Sequence, residues 1–161
     1  MKYILFFVLS ATFVNCKSTN HAKDASAPAQ GVISDQQPAK PAAELAGTYW
    51  KLTELAGQAI VVDTSSPMSR EPHMILQASD STVKGHGGCN GFGGNYEWKA
   101  PNRIKFDKIV STMMACEQLE TENRYFETLR NADSYYIVGD TLILNRARMA
   151  PLARFTAVYL K

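Results

Sequence analysis

The sequence predicts a mainly β (α+β) domain: a small antiparallel, partly closed β-barrel of about eight strands with one amphipathic helix. Three observations carry this expectation. Short β-rich runs separated by turn residues fill most of the chain after residue 45. A single long segment lacks Gly and Pro and repeats its apolar residues at helical spacing. Gly139-Asp140 separates two strand-like runs as a two-residue hairpin loop.

The first strand is Tyr49 to Thr53, with Trp50 and Leu52 on one face, followed by a turn at Ala56-Gly57-Gln58 and a second strand, Ala59 to Val62. Residues 63–72 are polar and carry Pro67 and Pro72, so they read as a loop. His73 to Ala78 and Thr82 to His86 are two strands around Ser79-Asp80-Ser81, and Arg103 to Asp107 alternates with Ile104 and Phe106 inward. Glu117 to Ala132 is the helix, with Leu119, Glu122, Phe126 and Leu129 on one face. Tyr135 to Val138, Thr141 to Asn145 and Leu152 to Leu160 complete the strands.

Ahead of this domain the chain reads as an export signal. Lys2 precedes an apolar run, Tyr3 to Val14, far shorter than the roughly 20 residues a membrane-spanning helix needs. Cys16 follows directly, where a lipoprotein signal places its acceptor cysteine, although Phe13 and Asn15 depart from the usual Leu and small residue. The competing reading is a plain secretory signal cut near Ser10-Ala11-Thr12. Lys17 to Glu44 is rich in Ala, Pro, Ser, Gln and Lys and has the composition of a flexible tether. As a coil it would reach about 30 Å. The expected organisation is therefore a signal peptide over 1–15, a lipid-anchored tether over 16–45 and a domain over 46–161. Its expected place is the cell envelope, anchored by palmitate-type acylation in a membrane, the outer one facing the periplasm. A net charge of +2 gives no argument for nucleic acid as a partner.

Six of the ten glycines fall between Gly85 and Gly94. No Lys-Ser/Thr follows, as a phosphate-binding loop requires, and Asn95 to Trp98 continues as a strand. The run is expected to be a bent or bulged strand where backbones approach closely, with Phe92, Tyr96 and Trp98 on one face. Cys89 and Cys116 are the domain's only cysteines, and in an oxidising envelope such a pair is expected to form a disulfide. A competing reading joins His86, Cys89, Met113, Met114 and Cys116 as soft ligands for copper, although methionines in this setting are more often core. Glu122 on the apolar helical face reads either as a buried structural partner or as the general acid or base of a small hydrolase. No nucleophile elbow or zinc-protease motif accompanies it, so the chain is expected to have no catalytic residue, no metal and no cofactor. Arg146, Arg148 and Arg154 read as a solvated face.

Trp50-x-Leu52, Gly88-Cys89-Asn90-x-Phe92-x-Gly94 and Thr112-Met113-Met114-Ala115-Cys116 with Glu122 and Leu129 downstream together resemble the META domain family of HslJ-like heat-shock lipoproteins. Gly139-Asp140-x-Leu142-x-Leu144 and Phe155 fit the same pattern, and the likeness spans about residues 47–160. The resemblance implies a small barrel with one helix, commonly tethered to the bacterial envelope, similar to lipid-binding secretion pilotins. It also implies an association with stress tolerance and no shared catalytic activity. The functional expectation is a monomeric, non-enzymatic envelope protein that binds a lipid, peptide or protein partner at an apolar barrel mouth rich in aromatic residues.

If Cys16 is the anchor, Cys16→Ala should move the protein from the detergent phase to the aqueous phase on Triton X-114 partitioning. Unchanged partitioning would leave the secretory reading in its place.

Overall fold

A computed structural model describes residues 41–62 and 68–159. The signal peptide, Cys16, the tether up to residue 40, residues 63–67, Leu160 and Lys161 lie outside the described residues.

The elements in chain order are β1 (Tyr49–Leu55), β2 (Gln58–Ala59), β3 (His73–Gln77), β4 (Thr82–His86), β5 (Gly91–Lys99), β6 (Arg103–Ser111), α1 (Leu119–Asn131), β7 (Ser134–Val138), β8 (Thr141–Asn145) and β9 (Ala153–Val158). The nine strands form one antiparallel sheet, and pairing of β1 with β9 closes it into a ring. The register gathers the ends of β1, β4, β6 and β8 with the starts of β3, β5 and β9 at one end of the ring. Helix α1 lies there, bonded through Glu122 to Cys89 and Asn90 and through Arg124 to Gln58. The segment leading into β1 lies at the other end, where Ala43 N–H donates to Gly139 O at 3.0 Å and Gly47 N–H to Leu76 O at 2.8 Å.

Alternation builds the core, and bulges keep it continuous. In β1, Trp50 and Leu52 face inward, and an irregularity between Leu52 and Glu54 turns Leu55 inward as well. In β6, Ile104 and Phe106 are buried, and Lys108 at φ 52° shifts the phase so that Ile109 also buries. A residue in a strand otherwise changes face at every step, so an extra residue is what lets an odd position join an even set. Ring interior and helix share one core: Phe92 meets Tyr125 edge-on at 5.8 Å and Phe126 at 5.2 Å, and Tyr125 also meets Phe155 at 5.9 Å. Each such ring removes about 150–250 Å² from water.

Several elements differ from expectation. The second strand covers only Gln58–Ala59; Ile60 N–H still bonds to Thr53 O, and the chain leaves the sheet after it. The helix is shorter by two residues at its start and one at its end. Its buried face is Glu122, Tyr125, Phe126 and Leu129, while Leu119 overhangs the rim and is exposed. Trp98 is 57% exposed rather than inward, because β4 accompanies β5 only as far as Asn95 and the β5–β6 hairpin then projects beyond the core. Ala43, within the stretch expected as tether, is buried against the core. Arg146 and Arg148 are exposed, whereas Arg154 is half-buried beside Glu54.

Candidate functional site

The helix end of the ring is organised by one buried amide. Asn90 sits in the turn between β4 and β5, with no solvent contact to speak of. Its Nδ2 donates to Met114 O at 3.0 Å and to Glu122 Oε1 at 2.6 Å. Its Oδ1 accepts from Thr112 Oγ1 at 2.8 Å and from Met114 N–H at 2.7 Å. All four hydrogen-bonding positions of the amide are thereby used. Glu122, 2% exposed, completes the arrangement: its Oε2 accepts from Cys89 N–H at 3.1 Å and Asn90 N–H at 2.6 Å.

The glycines around it have distinct reasons. A Cβ on Gly87 would lie 2.6 Å from Glu122 Cγ and Oε2, so only hydrogen fits where the helix meets the turn. Gly88 has φ 124°, a conformation that other residues rarely adopt. A Cβ on Gly94 would lie 2.6 Å from Ile109 Cδ1, at the bulge between β5 and β6. Close approach accounts for Gly87 and Gly94, and backbone conformation for Gly88.

Cys89 and Cys116 stand at disulfide distance, with 5.7 Å between their Cα atoms. Residues 112–116 have no regular structure and are instead fixed at Thr112, Met114 and Cys116. The consequence is on the outside. Met113 is 98% exposed and Met114 half-exposed, contrary to the expectation that they fill core. With Leu119 and Ala115 they rim an open cavity of about 340 Å³ whose floor includes Asn90, Thr112 and Glu122. Met113, Met114, Ala115 and Leu119 thus form an exposed rim at this end, whereas the aromatic rings Phe92, Tyr125, Phe126 and Phe155, expected at a mouth, are core.

The soft-ligand set is not assembled. Both sulfurs face each other, Met113 points to solvent, and His86 Nδ1 accepts from Gly88 N–H at 3.2 Å. Among the described residues no three His, Cys, Asp or Glu side chains converge for a metal. The hydrogen-bond partners of Glu122 are all N–H groups, with no hydroxyl or imidazole among them.

A second cluster, invisible in the sequence, lies on the outer face. Tyr49 stacks on His73 at 4.4 Å, and His73 lies 6.5 Å from its cross-strand partner His86. His73 Nδ1 is 2.9 Å from Glu71 O, and Glu71 pairs with Lys51 at 2.5 Å. Burial, and then the Glu71 charge, pushes the Tyr49 hydroxyl up to about 12. Tyr49, Lys51, His73 and His86 are plain outward-facing strand positions, and only the β1–β3–β4 register brings them together.

A family model for the META domain matches residues 43–159. The chain belongs to the META family. Of the ten motif residues, Gly88, Cys89, Asn90, Thr112, Cys116 and Glu122 gather around the Asn90 amide, with Phe92 packed beneath them, while Met113 on the same loop faces water. Gly94 marks the bulge, and Trp50 lies in the core of β1, its Nε1 donating to Leu45 O at 2.9 Å. Solved structures share the fold. An NMR structure of a protein from Burkholderia xenovorans is 21% identical with a TM-score of 0.56, covering 71% of this chain and 83% of that one. The crystal structure of a DUF4847 family protein from Bacteroides vulgatus is 15% identical with a TM-score of 0.50, covering 70% and 93%. No curated protein matches.

Replacing Glu122 by Gln keeps the size of the side chain but turns one end into a donor facing N–H groups. Glu122→Gln should destabilise the META domain by about 1–3 kcal/mol in urea unfolding, the usual cost of orphaning a buried donor.

Burial, with His73 and Arg70 nearby, holds the His86 imidazole below its ordinary value. The fold thus prefers neutral His86, while the unfolded chain takes up a proton near pH 6.5. Stability should be full above about pH 6.5 and decline as pH falls below it. In His86→Asn, whose Oδ1 replaces the Nδ1 acceptor, urea midpoints between pH 7.5 and 5.5 should fall less steeply; identical slopes would exclude His86 as the cause.

Proposed function

We propose that this META protein is a non-enzymatic, lipid-anchored envelope accessory protein, acting as a monomer, whose domain docks an apolar segment of a protein partner on the methionine rim at the helix end. The observation that supports this most is the exposure of Met113 on a segment whose backbone is pinned on both sides by buried contacts. Fixing a loop this firmly while turning its apolar side chain to water suits a preorganised contact surface, since less ordering cost then opposes binding. Methionine, unbranched and polarisable, suits surfaces that adapt to partner side chains. Met114 and Leu119 extend the exposed apolar area. The rim lies at the end of the ring opposite the segment by which the tether joins. Among the described residues no helix is long and apolar enough to cross a membrane. Attachment is assigned to Cys16.

In cells producing the full chain, a photocrosslinking amino acid placed at position 113 should give a discrete crosslinked species. The same probe at Val138, also exposed but near the tether end, should not. Crosslinking at neither position, or equally at both, would refute the assignment of the surface.

A further inference from the structure

Three glycines of the glycine-rich run are required by packing or backbone, as described above, and so is Gly85, whose Cβ would run into the His73 carbonyl. Two are not. A Cβ on Gly91 would meet nothing closer than Gly85 O at 3.9 Å, and one on Gly93 nothing closer than Val83 O at 3.8 Å. Neither residue has a positive φ. Glycine in a strand weakens it and often marks a bulge, a tight bend or a place where a ligand or another backbone approaches closely; the third of these is open at both positions, whose outer side is clear.

At Gly91 and Gly93 the outer face of the sheet carries a groove of about 560 Å³. These glycines belong to its floor; His73 and Ile75 on one side and Val110 on the other are its walls, and Lys84 stands in it. No carboxylate lines it; Asp80, outside the lining, feels the Lys84 charge but is held by Thr82, and the nearby Glu71 pairs with Lys51.

We infer that this groove binds a fatty acid, the hydrocarbon chain lying on Gly91 and Gly93 between Ile75 and Val110 and the carboxylate meeting the Lys84 ammonium. The walls supply apolar contact, and the one cation supplies charge complementarity without competition from a lining acid. An extended peptide is disfavoured, because β4 is paired with β3 and β5, and β5 with β4 and β6, leaving the floor no free strand edge. A sugar is disfavoured because the lining hydroxyls are Ser111 and Thr112, and Thr112 is committed to Asn90. The site is separate from the methionine rim, although the two surfaces share Ser111 and Thr112.

The test is calorimetric titration of the full chain with laurate below its micellar concentration, beside dodecyltrimethylammonium, which has the same chain and the opposite charge. Saturable binding of one laurate is expected, with at least tenfold weaker binding of the cation. Lys84→Glu should weaken laurate at least tenfold. Gly93→Val should abolish binding while leaving the thermal midpoint no lower than that of the parent, since its Cβ has room. Val110→Glu, at an exposed position, should also abolish it and serves if the glycine variant folds poorly. Met113→Ser combined with Met114→Ser should leave laurate binding unchanged, which keeps this site distinct from the proposed partner surface. Absence of saturable binding, equal binding of the two amphiphiles, or full binding by both groove-filling variants would overturn the inference; loss in the methionine variant alone would move the ligand to the rim.

Discussion

The hydrogen bonds of the Asn90 side chain are the interaction on which the helix end of this domain depends. An irregular loop, a strand turn and a helix meet there, and none can satisfy its polar groups from its own regular structure. Asn90 supplies both an acceptor and donors to Thr112 and Met114 on the loop, and shares Glu122 with its own backbone N–H and that of Cys89. In a buried site such a network is favourable only when complete, because each unpaired group carries its full desolvation cost. The Cys89–Cys116 link acts on the same loop by a different route. In the chain-entropy account, closing its 27-residue separation constrains the unfolded chain by about 3.5 kcal/mol.

This clamp explains how glycine and methionine are used. Gly87 lets α1 approach until the Glu122 carboxylate reaches the turn, and Gly88 turns the chain toward Cys89. With the loop held on its inner side, Met113 has nowhere to go but outward. Because α1 and the ring fill their common interior with Tyr125, Phe126, Phe92 and Phe155, the surfaces left for ligands are external. The methionine rim and the glycine-floored groove adjoin at Ser111 and Thr112.

Much of the architecture was legible. Thr82–His86 and Thr141–Asn145 have the bounds read from their alternation, and the helix was separated from the strands by its period. Trp98 and Leu119 were misplaced for one shared reason. Periodicity gives the direction in which a side chain points, but not whether the neighbouring strand extends far enough to cover it.

The sequence by itself determined the antiparallel β class with a lone helix, because alternation and helical period are local properties of consecutive residues. It also determined the META membership, carried by short motifs that survive as text. Tertiary structure alone decided that Asn90 is the hub, that Met113 and Met114 face water, and that Tyr49, His73 and His86 stack. It also divided one glycine-rich run into residues the fold requires and two it does not. These are relations between residues distant in the chain, fixed by register and by the two bulges that change a strand's phase; a one-residue shift in either would send the same side chains to the opposite face.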